Sequence, residues 1–228
     1  MREWRLDAPA PGVRVAQPVG GFKYTSDSFW LAGFALESGA PRTALDLGTG
    51  SGIVAFLLAS AGLDVVGVDA APEWAEGWRR AEGPAVRFVT ASAADVALGP
   101  FDVVTCNPPY WPAGSGPAPR DPLVRAGRVE GALPLAGFVA AGLRHLGPGG
   151  QLVLVLPLGR RRELDGHGVI EECVVGDRVL VRVAMDGRPP LGVTDAPPER
   201  VRGWYERFGA TPPRASGQRS AVSGQGGG

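Results

Sequence analysis

The 228-residue chain is short of several residue types, and each shortage narrows its chemistry. Two cysteines, Cys106 and Cys173, are too few for a disulfide framework or a closed four-ligand zinc site, so a reduced cytoplasmic protein without a metal centre is expected. No apolar run approaches the roughly 18 residues of a membrane span. The charged start MREWRLDAPAPG lacks the apolar stretch of a secretory signal. Net charge is absent too, because 23 basic residues balance 23 acidic ones. Global electrostatics therefore offers nothing to nucleic acid, and any RNA contact has to come from a local patch. The two histidines, His145 and His167, are expected at a helix end or on the surface. Lysine and asparagine are the scarcest polar residues. Of the 23 basic residues 22 are arginine, leaving Lys23 as the single lysine, and Asn107 is the single asparagine. In so Arg-, Gly- and Pro-rich a chain, each is a candidate for a role its substitute cannot fill.

What is present is ample for one folded core, with 44% hydrophobic residues. Residues 12–24 read as a hairpin around Gly20-Gly21. TSDSFWLAGFALESG follows as a helix, with Thr25, Ser26 and Asp27 as capping candidates and Gly39 as its stop. Strand and helix patterns then alternate. TALDLG, DVVGVD, AVRFVT, FDVVTC and QLVLVLP read as strands, and SGIVAFLLASAG, APEWAEGWRRAEG and LPLAGFVAAGLRHLG as helices. This is the signature of βαβ units and a parallel sheet. VIEECVV and RVLVRVAM, joined by Gly176-Asp177, predict an antiparallel hairpin at the end. The expected organisation is an N-terminal hairpin and helix (1–40), a catalytic α/β domain (41–187) and a Gly/Pro/Arg-rich tail (188–228). That tail is expected to be disordered apart from a short helix near 199–208. A long irregular loop at 114–129 reads as functional.

DLGTGSG (46–52) lies where the first parallel strand gives way to a helix. Glycines there let the backbone turn sharply and approach a ligand. A dinucleotide fingerprint G-x-G-x-x-G counted from Gly48 would need glycine at position 53, which is Ile53. The glycines fall at every second residue instead, the spacing of an S-adenosylmethionine (SAM) loop. Asp69 closes the next strand, where a carboxylate can accept both ribose hydroxyls. Asp95, after the third strand, is placed to face an adenine.

Asn107-Pro108-Pro109-Tyr110 follows the fourth strand, at the carboxyl edge of the sheet. Its chemistry suits methylation of a conjugated amine, whose lone pair is delocalised and poorly nucleophilic. The Asn107 side-chain oxygen and the Pro108 carbonyl can accept the two N–H groups and turn the lone pair toward a methyl donor. The prolines restrict the backbone and pre-organise the acceptors. Tyr110 offers a ring for a flat target, and Trp111 either stacks or packs beside it.

DLGTGSG with NPPY resembles the class I SAM-dependent amino-methyltransferases over roughly residues 40–157. The segment Gly21-Phe22-Lys23-Tyr24-Thr25-Ser26-Asp27 and a later Gly127-Arg128-Val129-Glu130 narrow the likeness to bacterial tRNA (adenine-N6)-methyltransferases acting on a valine tRNA. The resemblance implies an α/β, Rossmann-like, seven-stranded and mostly parallel sheet with an antiparallel C-terminal hairpin. It implies SAM as cofactor, held by Asp46, Gly48, Thr49, Gly50, Gly52, Asp69 and Asp95. It assigns catalysis to Asn107, Pro108, Pro109 and Tyr110, and an RNA substrate, with tRNA foremost. Position 127 departs from the family's usual alanine, and the segment PLGRRRELDGHG is too short for the family's full helix there.

Lys23 is expected to meet the SAM carboxylate or an RNA phosphate, and Arg128, with Arg120 and Arg125, further phosphates. The run Arg160, Arg161 and Arg162 reads as a solvated face, and Cys106 as a small buried hydrophobe. Two rival functions remain open. One is a release-factor glutamine N5-methyltransferase, a family that normally carries an extra N-terminal helical domain where only about 40 residues precede the first strand of this sheet. The other is a SAM-binding protein without catalysis, against which the intact NPPY argues.

Overall fold

The computed structural model describes residues 2–21, 23–37, 39–111, 121, 123–124, 131 and 133–213. The chain opens with an antiparallel hairpin, β1 (Trp4–Ala10) and β2 (Val13–Pro18), turning at Pro11-Gly12. Its turn is not the expected Gly20-Gly21. Pro9, which made the first strand illegible, sits where the pairing register shifts between Asp7 and Ala10, a place that tolerates a missing donor. Trp4 presses on Gly77, where an added Cβ would come 2.9 Å from its ring, and fastens the hairpin to helix α3 described below.

Helix α1 (Ser26–Ala35) leads into β3 (Thr43–Leu47), α2 (Ile53–Ser60), β4 (Asp64–Asp69), α3 (Trp74–Arg80), β5 (Arg87–Thr90) and β6 (Phe101–Cys106). Then come α4 (Leu135–Arg144), β7 (Leu146–Pro157), a 3-10 turn (Leu158–Leu164), β8 (Val169–Val175) and β9 (Arg178–Val183). The order across the sheet is β10-β8-β9-β7-β6-β3-β4-β5, and β9 runs against both of its neighbours. Seven of these strands are the expected ones. The eighth, β10 (Gly192–Asp195), pairs in parallel with β8.

Side-chain alternation along the strands sorts the core into two layers. Ala44, Val65, Val103 and Val153 face α1 and α2, while Leu45, Val66, Val104 and Leu152 face α4. Helix α5 (Pro198–Glu206) joins the first layer through Trp204 and Tyr205, and Phe208 follows just past its end; all three are buried. The fold therefore continues well past Gly187, and the expectation of a largely disordered segment from 188 onward is corrected through residue 213. Residues beyond that lie outside the described part, as do Arg120, Arg125, Arg128 and most of the loop 114–129. Among the described residues no helix is long and apolar enough to cross a membrane.

Because β3 is flanked by β4 on one side and β6 on the other, the chain leaves it in opposite directions. The carboxyl ends of these three strands frame a crevice, the place where open α/β sheets bind ligands.

Candidate active site

A cavity of about 330 Å³ fills that crevice. The loop after β3 forms its floor. Val68 O accepts both Gly48 N (2.8 Å) and Thr49 N (2.9 Å), and Trp78 Nε1 donates to Gly50 O at 2.8 Å, so strand and helix grip the loop from two sides. Gly48 and Gly50 adopt φ of 70° and 53°, the left-handed region that disfavours other residues. Both line the cavity, whereas Gly52 does not. A Cβ at Gly52 would meet the Phe88 ring at 2.7 Å, so that glycine serves helix packing instead.

Asp46 is buried at the cavity floor and accepts from Thr49 Oγ1 (2.6 Å) and Thr105 Oγ1 (2.8 Å). Burial pushes its carboxyl up to about 6, against the lowering pull of those two hydroxyls. Asp69 ends β4, its two oxygens accepting Gly50 N and Ala71 N, each at 2.9 Å. Burial raises its pKa as well. Asp95 is exposed and absent from the cavity wall; Ala93 stands there instead, on a turn where Ser92 Oγ accepts Ala94 N. Trp74, Val68 and Phe138 supply apolar walls. This donor set fits SAM: a strand-end carboxylate for ribose hydroxyls, glycines that let the chain approach closely, apolar walls for a flat base, and Asp46 to face its positive charge.

That charge gives a pH test. A cationic ligand favours ionised Asp46, so binding releases a proton wherever the free carboxyl is still protonated. SAM affinity is therefore expected to rise with pH through about 6 and to level off above it. Calorimetry across that range checks this, and a flat profile would contradict the role given to Asp46.

Asn107, Pro108, Pro109 and Tyr110 line the same cavity, as does Trp111, which is exposed. Arg160 Nη1 donates to the carbonyls of Pro109 (3.3 Å) and Tyr110 (3.2 Å), while the Pro108 carbonyl has no partner among the described residues. Arg160 is thus a brace for the motif rather than part of a solvated face. Arg161 instead pairs with Glu172. Tyr110 Oη lies 2.9 Å from Asp27 Oδ2, whose carboxylate also accepts Arg178 Nε at 3.1 Å. Asp27 and Arg178 line the cavity too. In the sequence Asp27 reads as a helix cap and as the last residue of the family-like segment 21–27, with no contact to NPPY indicated, and Arg178 carries no signal beyond following a turn. Lys23 is exposed and stands outside the cavity wall, next to Tyr24, which lines it. His145 does lie at the end of α4, but it is buried, with its ring nitrogens 2.7 Å and 3.1 Å from the Ala141 and Val96 carbonyls. Cys106 is buried, as expected.

Comparison with known proteins gives a consistent result. Residues 44–114 match the family described as methyltransferase domain. The chain is 33% identical over 162 residues to the tRNA1(Val) (adenine(37)-N6)-methyltransferase of Aeromonas salmonicida, covering 63% of this chain and 68% of that protein. It is 34% identical over 164 residues to the release factor glutamine methyltransferase of Deinococcus radiodurans, covering 64% of this chain but 57% of that one. Among solved structures, the T. thermophilus 16S rRNA N2 G1207 methyltransferase in complex with AdoMet and guanosine superposes with a TM-score of 0.58 at 21% identity. That match covers 79% of this chain and 50% of the other, and it shows a shared fold. With the glycine loop and NPPY lining a single cavity, the chain belongs to the family of the tRNA1(Val) (adenine(37)-N6)-methyltransferases, SAM-dependent enzymes of the class I fold.

Proposed function

We propose that the enzyme methylates the exocyclic N6 amine of an adenine in tRNA. The observation that carries this reading is the pair of acceptors among the cavity-lining residues, the Asn107 carboxamide and the Pro108 carbonyl, which has no partner among the described residues. An adenine amine has two N–H groups to donate to them. Once both are engaged, the nitrogen lone pair leaves conjugation and points at the methyl donor, and the Tyr110 ring lies against the base. SAM bound by the glycine loop and Asp69 would supply an electrophilic methyl, its sulfur keeping the S–C bonding pair as the nitrogen took the methyl and gave a proton to water. No strong base is needed, since the nitrogen becomes acidic as it gains the methyl.

In this reading Asp46, Gly48, Thr49, Gly50 and Asp69 hold the cofactor, with Asp69 taking the ribose. Gly52 and Asp95 stand off the cavity wall and are left out. Asp69→Ala is expected to weaken SAM binding about 10- to 100-fold, the scale of losing hydrogen bonds to a charged acceptor, as read by calorimetry. Lys23, exposed and outside the cavity, is assigned to RNA phosphate rather than to the SAM carboxylate. The substrate would place the enzyme in the cytoplasm.

Tritiated SAM offered with bulk tRNA, duplex DNA and release factor tests the substrate. Transfer to tRNA, with N6-methyladenine in the digest, is the expected result. Transfer to release factor alone would establish the glutamine reading, which a similar identity keeps in play and a smaller covered share of the relative disfavours.

A further inference from the structure

Tyr110 Oη has two oxygen neighbours and one proton. Asp27 Oδ2 lies 2.9 Å away and the Asn107 amide oxygen 2.5 Å away. One hydroxyl cannot donate to both. It keeps its proton, because burial and the Asp27 charge push the phenol well above the ordinary tyrosine range. The Asp27 carboxylate is bonded to the guanidinium of Arg178, which also pairs with Asp177 and lies 5.0 Å from the centre of the Tyr110 ring. A carboxylate is the stronger acceptor and takes the phenol proton. The Asn107 oxygen would then face the lone pairs of Oη at contact distance. The two ends of a carboxamide have the same shape, and their partners decide which end faces which.

We propose that Asp27 and Arg178 are positioning residues which, through the Tyr110 hydroxyl, hold the Asn107 carboxamide with Nδ2 toward Tyr110 and Oδ1 toward the target amine. The hydrogen bonds then run from Asn107 Nδ2 to Tyr110 Oη, from Tyr110 Oη to Asp27 Oδ2, and from Arg178 Nε to the same carboxylate. In this arrangement the Tyr110 hydroxyl donates once and accepts once, with no two acceptors facing each other. The inference rests on reading Asn107 as the amine acceptor, and it explains why that reading needs Asp27. With the carboxamide reversed, Asn107 would present N–H groups to an amine that offers only N–H groups in return, and the lone pair would stay conjugated. Asp27 lies 151 residues from Arg178 in sequence and 83 from Tyr110, so α1, β9 and the loop after β6 must all be in place before the acceptor is set.

Because Asn107 is the single asparagine, selective side-chain 15N labelling of asparagine gives one NH2 pair in the spectrum. In the parent, one of its protons is expected to show contact with the Tyr110 ring and slowed exchange. Tyr110→Phe and Asp27→Ala should each shift the pair and remove that protection; a pair unmoved by Tyr110→Phe overturns the proposal. In the methylation assay, Tyr110→Phe keeps the ring and is expected to lower kcat about tenfold with little change in KM, the scale of one charge-coupled hydrogen bond. Asp27→Ala should do the same, and the double variant should be no worse than either single one, since both act through one chain of bonds. Fully additive losses, or an unchanged kcat, would also overturn it. Should Asp27→Ala fail to fold, Tyr110→Phe and Arg178→Gln carry the test. The spectrum needs no substrate, so a protected NH2 pair in a parent that leaves tRNA unmodified would support the amide orientation and count against tRNA as substrate.

Discussion

Asn107→Ala is expected to lower turnover about 100- to 1,000-fold, the usual cost of removing one pre-aligned polar group from a transition state, while leaving SAM affinity within about twofold. The split follows from the place of the residue. Asn107 lines the cavity from the loop after β6, while the cofactor contacts come from the glycine loop after β3 and from Asp69 at the end of β4. The carboxamide does nothing for the cofactor. Its acceptor oxygen matters most as the nitrogen becomes tetrahedral and its N–H groups gain positive charge, so the interaction strengthens toward the transition state and shows in kcat. Pro108 still offers its carbonyl in the variant, which sets a floor under the residual rate. Single-turnover transfer from tritiated SAM, with calorimetry on the same sample, separates the two quantities. An unchanged rate would reduce NPPY to a structural turn.

The parts of this site that could be read from sequence are those written in local chemistry. The glycine loop is legible because left-handed backbone at Gly48 and Gly50 needs glycine, and NPPY because two prolines and an asparagine crowd one strand end. The parallel sheet is legible because short, largely apolar runs alternate with helical patterns along the chain. What escaped was made by distance or disguised by composition. Asp27 reads locally as a cap, yet its carboxylate faces Tyr110 and Arg178, partners supplied by remote elements. Arg160 reads as one of three surface arginines until the 3-10 turn sets it against the Pro109 and Tyr110 carbonyls. Asp95 reads as the acid facing adenine from its place after the third parallel strand, but Ala93, and not Asp95, lines the cavity. In the tail, Gly, Pro and Arg hide an amphipathic helix whose Val201, Trp204 and Tyr205 share one face, with Phe208 packing just beyond its end; the 201, 204, 205 spacing is the legible signal.

That helix supports the second large effect. Trp204→Ala is expected to destabilise the fold by about 3–5 kcal/mol, the range for deleting a buried aromatic ring. The Trp204 ring is 2% exposed and meets Phe34 edge-on at 6.2 Å. It lies so close to α1 that a Cβ added to Gly33 would come 2.4 Å from its Cγ. Its indole Nε1 donates to Glu37 Oε1 at 2.7 Å, and Glu37 also pairs with Arg200 of the same helix. Alanine would leave a cavity between α1 and α5 and take a donor from a half-buried carboxylate, two costs of the same sign. For a domain of this size the loss corresponds to a fall in Tm on the order of 10 °C. Gly33→Ala should move stability in the same direction by driving the ring out of its seat. The effect reaches the site as well, because α1 carries Asp27 at its N-terminal end and α5 is one of the elements that holds α1 against the sheet. Below the new Tm, Trp204→Ala is therefore expected to lower kcat more than it weakens SAM binding. Thermal melts and methylation rates on one preparation decide the matter. A Tm within about 2 °C of the parent, roughly the shift from 1 kcal/mol, would mean that α5 contributes little to the folded core.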